Sequence, residues 1–241
     1  MRSITFKSII VLALLFAAWR ILALGVSDYY VDRALDGDIT SIDKALSWNG
    51  KHSKALYLKA KQIEKTEPHK AMELLQLALR EKPSDARPLV VMVRILAAQK
   101  KWGQADQLMS LATKRMPANK SIRLRAATYW VERQRLDYAI NEWSIALSIA
   151  PDLGNRIFPV FTKVADNKNI RDLLKPLTRD TPVWWDKFFQ YLSRHAKSYT
   201  TVMYIADLRR NAPDSLTSAE RNMLVARLIK DNQWENAYIA W

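Results

Sequence analysis

Cysteine is absent from this 241-residue sequence, and glycine is scarce, with 5 residues against 9 prolines. Without cysteine there is neither a disulfide nor a thiolate metal site. The sequence also lacks a glycine-rich phosphate loop, a GxSxG elbow and an HExxH motif, and its 3 histidines have no metal-ligand spacing. It therefore predicts no catalytic residues, no metal and no cofactor. The scarcity of glycine and the 49% of hydrophobic residues favour an ordered helical protein instead.

Long basic runs are also missing, although the formal net charge is +14 and the pI is near 9.9. A charge balance of this kind indicates either solvated helix faces or an anionic partner. The scattered Lys and Arg residues favour solvated faces and argue against nucleic acid as a partner. Binding to an anionic polymer or to lipid head groups stays open as an alternative function.

Residues 8–26 form the single long apolar run, which only Ser8 and Arg20 interrupt. A helix of that length spans roughly 28 Å, about the hydrocarbon core of a bilayer. Arg20 is close to the outer end of the run, where its long side chain can reach the interface. We therefore expect a retained transmembrane anchor. A signal peptide that is cleaved after Gly25 is the alternative.

The charges that flank this anchor predict its orientation. Arg2 and Lys7 precede it, within residues 1–7, whereas four aspartates and only Arg33 follow it closely. The side with more Lys and Arg normally stays in the cytoplasm. The sequence therefore predicts a single-pass protein of the bacterial inner membrane, with a cytoplasmic N-terminus and the remaining chain outside that membrane, in the periplasm if the source is Gram-negative.

Three sets of residues recur at a spacing of 34: Ala71, Ala105 and Ala139; Ala78, Ala112 and Ala146; and Pro83, Pro117 and Pro151. The two alanines of each copy are seven residues apart and lie on one helix face, where a second helix can approach closely. The proline then ends that helix. Residues 51–151 are therefore predicted to form three helical hairpin repeats. An unrelated helical bundle with the same period is the alternative.

These columns resemble the tetratricopeptide repeat (TPR) family. Residues 70–83 are similar to its second helix, and residues 102–105 and 136–139 are similar to the turn that leads into that helix. The first helix of each copy departs from the family pattern. The resemblance implies an all-α fold, in which the transmembrane helix is followed by a TPR-like α-solenoid of antiparallel helix pairs.

The resemblance also implies a concave groove that is lined by the first helices and binds protein partners. The predicted groove residues are Ser53, Leu56, Ala60, Arg87, Val90, Arg94, Ser121, Leu124 and Thr128. Arg87 and Arg94 are seven residues apart on one helix face, so they bind an acidic side chain of a partner or remain an ordinary solvated pair.

Two further regions flank the three repeats. Residues 27–50 are predicted to form a partial repeat that caps the solenoid, with a second helix at residues 39–48. Residues 152–241 read as degenerate repeats that end in the middle of a repeat, with Ser218 as a helix N-cap and Pro213 as a helix stop. Their helices are predicted at residues 155–165, 170–177, 184–196, 199–210, 219–230 and 235–241.

An aromatic cluster, Trp184, Trp185, Phe188 and Phe189, stands out in the last region. Four aromatics in six residues are not expected to share one helix face. They therefore form either a thick core on two sides or one exposed anchor for a partner.

The last helix stops at Trp241, after barely two turns. We expect Trp234, Ala237, Tyr238 and Trp241 to rest on the preceding helix, because so short a helix is not stable alone. We also expect a further segment or a partner subunit to cover this end.

These features together predict a membrane-anchored TPR scaffold that mediates protein–protein interactions in a bacterial envelope assembly. Polysaccharide export or another envelope biogenesis system is the setting that the resemblance suggests. The expected partners are other proteins of a membrane or envelope complex.

Overall fold

The computed structural model describes residues 2–212 and 215–241, and every regular element within these ranges is helical. The predicted all-α fold is thereby confirmed. The fourteen α-helices are α1 (Arg2–Leu35), α2 (Ser41–Trp48), α3 (Ser53–Ile63), α4 (Pro68–Glu81), α5 (Arg87–Ala98), α6 (Trp102–Arg115), α7 (Lys120–Glu132), α8 (Leu136–Ile149), α9 (Gly154–Asp166), α10 (Lys175–Arg179), α11 (Trp185–His195), α12 (Tyr199–Arg210), α13 (Ser218–Lys230) and α14 (Trp234–Ala240). The chain divides into a first unit, Met1–Met116, and a second unit, Pro117–Trp241.

Helix α1 is the one helix in the described ranges that is long and apolar enough to cross a membrane. It does not end near residue 26, where the sequence placed the end of the anchor, but continues without a break to Leu35. The residues from Ile10 to Leu22 are exposed, as expected for a helix whose partner is lipid. The same helix then packs against α2, so it serves both as the candidate anchor and as the first helix of a pair.

The three predicted repeats correspond to three packed helix pairs, α3–α4 and α5–α6 in the first unit and α7–α8 in the second. Helices α4, α6 and α8 each end two residues before Pro83, Pro117 or Pro151. All six alanines of the two columns are completely buried, with 0% of their surface exposed. The period therefore reflects close packing of the helices, because a larger side chain has no room at these positions.

The turn between paired helices also repeats. Lys100, Gln134 and Asn232 all have a positive φ of 58° and each lies two residues before the second helix of its pair. In each case the next residue donates its N–H to a carbonyl five residues earlier, at 2.8–2.9 Å. This hydrogen bond closes a Schellman turn, which satisfies the last carbonyls of the first helix. Helices α13 and α14 are therefore joined by the same turn as α5–α6 and α7–α8.

The first unit begins with a small core between α1, α2 and α3. Val31, Ala45 and Ala55 form its buried centre. The buried Ser27 Oγ donates a hydrogen bond of 2.9 Å to the Ala45 carbonyl oxygen, so α1 and α2 are joined by a polar contact as well. The partial repeat that the sequence predicts at residues 27–50 falls on these helices and stays a prediction.

Asp38 organises the start of α2. Its carboxylate accepts hydrogen bonds from Thr40 Oγ1 and Ser41 Oγ, at 2.6 and 2.7 Å. These two bonds, together with the charge of Arg33, lower the pKa of Asp38 to about 2. The helix therefore begins beside a carboxylate that stays ionised, the charge that favours a helix N-terminus.

Two predicted details of the second unit are wrong. Thr217, and not Ser218, is the N-cap of α13, because its side chain and that of Glu220 form a reciprocal capping box. Helix α11 begins at Trp185, so Trp184 precedes the helix instead of opening it. The predicted stop at Pro213 falls outside the described residues.

Candidate functional site

The two arginines of the predicted groove already have partners in the first unit. Arg87 forms two parallel hydrogen bonds with Asp85, Nε to Oδ1 at 2.9 Å and Nη2 to Oδ2 at 2.5 Å. Arg94 Nη2 lies 2.6 Å from Glu64 Oε2. An acidic side chain of a partner would therefore have to displace a carboxylate of this chain at either position.

Asp85 is a strong competitor for Arg87. Burial acts to raise the pKa of Asp85, but the side-chain and backbone hydrogen bonds from Arg87 outweigh it and lower that pKa below its ordinary value. The carboxylate thus stays ionised beside the guanidinium. Tyr57 stacks on the same guanidinium, with 5.6 Å from Cζ to the ring centroid. Arg87 is thus held by two neighbours, the Asp85 carboxylate and the Tyr57 ring, as a structural residue is.

The other predicted groove residues divide by burial. Leu56, Ala60 and Val90 are buried in the first unit, where they pack between helices. Ser53 is partly buried and donates its Oγ hydrogen to the Ala78 carbonyl oxygen at 2.9 Å, so it too is engaged within the unit.

In the second unit, Ser121 and Thr128 are exposed and Leu124 is half-buried. Thr128 Oγ1 donates to the Leu124 carbonyl oxygen one turn earlier, at 3.1 Å. These three residues follow one face of α7. Of the predicted groove residues, Ser121 and Thr128 are exposed, as Arg94 is in the first unit.

The aromatic cluster is core and not an exposed anchor. Trp184, Trp185, Phe188 and Phe189 are all buried, at 0–2% exposure. Both indole N–H groups are satisfied inside the protein: Trp184 Nε1 donates to the Ser144 carbonyl oxygen at 3.0 Å and Trp185 Nε1 to Glu220 Oε1 at 2.7 Å. The cluster therefore holds together helices of the second unit and is not available to a partner.

The aromatic side chains of the C-terminal helix α14 are exposed, although the sequence predicts that they are buried. Ala237 is buried, as the alanine column predicts, but Trp234, Tyr238 and Trp241 are 63%, 85% and 76% exposed. The expectation that these aromatics rest on α13 is therefore wrong. Helix α14 makes its contact with α13 through the alanine face, and its aromatic side chains project away.

A groove that the sequence did not indicate lies in the first unit, between α4 and α6 and over α5. Its volume is about 400 Å³. Its lining residues are Pro68, His69, Met72, Gln76, Met92, Ile95, Leu96, Gln99, Lys101, Gln104, Gln107 and Leu108. We call it the α4–α6 groove. It opens on a different face of α5 from Arg87 and Arg94, because Met92, Ile95 and Leu96 are rotated away from them around the helix.

The α4–α6 groove combines an apolar floor with an amide rim. Met92, Ile95 and Leu96 form its buried floor, and the glutamines are exposed above them. None of the lining residues is acidic, whereas His69 and Lys101 are present. Methionine is flexible and adapts to varied apolar side chains. The sequence signal for this groove is a set of uncharged glutamines at exposed positions of α4 and α6, where charged residues are more usual.

His52 contributes to the scaffold and not to a site. Its Nδ1 accepts the Ala55 N–H at 3.2 Å and caps α3, and its Nε2 lies 2.7 Å from Asp28 Oδ1. Because Nδ1 is an acceptor, Nε2 carries the proton and donates it to the carboxylate. No group of three or more His, Cys, Asp or Glu residues with metal-binding geometry occurs in the described part of the chain.

Comparison with known proteins adds no relative: no protein-family model matches the chain, and no curated protein matches it significantly.

Proposed function

We propose that this protein is a membrane-anchored scaffold of the TPR type, with a cytoplasmic N-terminus and its helix pairs in the periplasm of a bacterial cell. The observation that carries the proposal is the dual role of α1. Its part from Ile10 to Leu22 is apolar and exposed, while its C-terminal part is one partner of the first helix pair. An array of helix pairs that starts inside an anchor helix is suited to holding other proteins at a membrane.

Three features support the TPR type in particular. The alanine columns keep a spacing of 34 residues, their side chains are buried where paired helices meet, and the same Schellman turn recurs at three hairpins. Repeats of this kind bind partners on their surfaces and perform no chemistry themselves. Polysaccharide export or another envelope biogenesis system is the setting that we propose.

The α4–α6 groove is the surface that best fits a partner in this proposal. An apolar floor of methionine and aliphatic residues accepts one or two apolar side chains, and exposed glutamines supply hydrogen bonds to a peptide backbone. The absence of acidic residues from the lining, with Lys101 at one end, favours a protein segment whose apolar residues are flanked by acidic ones.

Binding to an anionic polymer is less well supported, because several basic side chains are already engaged within each unit. Arg87 and Arg94 pair with carboxylates in the first unit. Arg123 and Arg209 pair with Glu142 and Glu220 in the second. Salt separates the two functions, since binding to a polymer through Lys and Arg weakens steeply as ionic strength rises and binding in an apolar groove does not.

The test is site-specific photo-crosslinking in native membranes. A photoreactive amino acid at Gln104, on the rim of the α4–α6 groove, should give a discrete crosslinked protein that Met92→Glu abolishes. Lys114, which is exposed on the same helix but outside the groove lining, is the matched control position. Crosslinks of equal yield from positions 104 and 114, or a product that Met92→Glu leaves unchanged, would refute binding in this groove.

A further inference from the structure

Helix α2 folds back along α1 toward the candidate membrane span. Near the start of the hairpin Arg33 Nη2 lies 3.1 Å from Asp38 Oδ2, and further along Ser27 Oγ bonds to the Ala45 carbonyl oxygen at 2.9 Å. At the end of α2 the rings of Trp48 and Trp19 are 5.6 Å apart. The C-terminal end of α2 therefore lies beside the part of α1 around residues 19–24, which the sequence assigns to the membrane.

The length of the apolar run decides where the bilayer surface lies. From Ser8 to Trp19 a helix rises only about 18 Å, too little for a hydrocarbon core of roughly 30 Å. Extending the run to Leu24 adds about 7 Å. Beyond Leu24, Asp28 is exposed and ionisable, so hydrocarbon does not extend that far. The bilayer surface on this side must therefore lie between Leu24 and Asp28.

Exposure of α1 supports the same boundary. Ile21, Leu22 and Leu24 are 72%, 54% and 42% exposed although they are strongly apolar. Between them Ala23 is buried, so only one side of this turn is covered by protein. Lipid around the uncovered sides of α1 at the level of Trp48 would keep these three apolar side chains out of water.

We propose that the C-terminal end of α2 is a second membrane contact, in which Trp48 and Trp19 lie together in the outer part of the lipid layer, just below the head groups on the side opposite the N-terminus. The proposal rests on the membrane span in the proposed function and specifies how the first unit meets the lipid. Tryptophan suits this depth because its apolar ring lies in lipid while its N–H points toward the polar head groups above. Arg20 then extends from the same level into the head groups. The partner of this surface is the bilayer itself.

The absence of cysteine makes a direct test possible, because a single introduced cysteine carries the only label. An NBD fluorophore is attached to Trp48→Cys in the full chain, reconstituted into phosphatidylcholine and phosphatidylglycerol vesicles that contain a lipid with a nitroxide midway along its acyl chain. Ser47→Cys is the second labelling site and leaves Trp48 intact. The matched control is Ile39→Cys, because Ile39 is also apolar and exposed but precedes the opposite end of α2. Leu14→Cys reports on the span itself.

We expect loss of NBD emission at positions 14, 47 and 48 when the nitroxide lipid is present, and no loss at position 39. Quenching at position 14 with none at 47 and 48 would overturn the second contact and leave the span intact. Quenching at all four positions would also overturn it, because the whole hairpin would then be embedded. No quenching at position 14 would overturn the membrane span, and with it this proposal.

Discussion

Replacement of Glu220 by glutamine tests the most tightly connected polar group of the second unit. Glu220 Oε1 accepts hydrogen bonds from Trp185 Nε1 at 2.7 Å and Arg209 Nε at 3.0 Å, and Oε2 accepts the Thr217 N–H at 2.8 Å. Glu220 and Arg209 are only 1% and 2% exposed. Arg209 also donates to the Thr178 carbonyl oxygen at 2.9 Å, so it cannot turn toward solvent without losing that bond.

The expected cost of Glu220→Gln follows from these contacts. A glutamine keeps one acceptor but presents an amide group to the Thr217 N–H, which places a donor against a donor. The guanidinium of Arg209 is then buried without a counter-charge. Removing one member of a buried ion pair typically lowers the free energy of unfolding by about 3–5 kcal/mol. We expect a loss in that range at neutral pH.

The effect of pH gives the prediction a second, independent readout. Burial acts to raise the pKa of Glu220, but hydrogen bonds from the Thr217 backbone, Arg209 and Trp185 outweigh it and lower the pKa below 4.5. The stabilisation by the ionised carboxylate is therefore complete above about pH 4.5 and is lost as the pH falls through the lowered value. Since Glu220→Gln cannot titrate, the difference between the two proteins should shrink in acid.

The measurement is urea unfolding of the full chain in detergent, followed by tryptophan fluorescence and circular dichroism. Glu235→Gln is the control, because Glu235 is exposed and its substitution should change the free energy of unfolding by less than about 0.5 kcal/mol. The double variant with Arg209→Met and Glu220→Leu should recover part of the loss, because neither charge remains buried alone. A single variant as stable as the wild type at neutral pH would refute the reasoning.

Three further predictions follow from the repeats and the anchor. Ala139→Leu should lower the free energy of unfolding by about 1–3 kcal/mol because Ala139 is fully buried, whereas Asn141→Leu on the exposed side of the same helix should not; equal melting temperatures would contradict the helix packing. Gln134→Gly should stabilise the protein by up to about 1 kcal/mol, because only glycine adopts its positive φ without strain; a loss of stability would show that the turn is not strained. A reporter that is active only outside the cytoplasm should be active when fused after Trp241, and activity of a cytoplasm-only reporter at that site would contradict the topology.

Much of the fold could be predicted because the packing of the repeats requires particular residue types at regularly spaced positions of the sequence. Small residues recur where two helices touch, and prolines recur where a helix must end. These constraints act on single positions, such as Ala105 and Pro117, and need no knowledge of distant partners. The helix bounds of the three hairpins therefore follow closely from the columns.

The aromatic cluster shows how an error of one residue in the predicted start of a helix changes which side chains are expected on one helix face. The sequence predicts one helix that contains all four side chains, but Trp184 lies before α11. Trp185, Phe188 and Phe189 then have the spacing i, i+3 and i+4, which places them on one face. Similarly, the capping box was visible as Thr217 followed three residues later by Glu220, a stronger signal than Ser218 alone.

The candidate binding surface was harder to predict because it depends on contacts between residues far apart in sequence. Arg94 pairs with Glu64, 30 residues away, and no local pattern reveals that partner. Whether a side chain of one repeat is exposed, or is bonded to another residue of the chain, depends on the neighbouring helix pair. The α4–α6 groove likewise exists only because residues of α4 and α6 are brought to the same face of α5.

The continuity of α1 limits the reach of the first unit. In the membrane arrangement that we propose, with the bilayer surface just beyond Leu24, α1 extends only about 16 Å farther to Leu35, and it contains no hinge. A flexible tether of 20 residues would instead let a domain wander by roughly 25 Å. The first helix pairs therefore stay at a fixed height, and a molecule that binds them must itself stand close to the lipid. Encounter then becomes a two-dimensional search along the membrane plane.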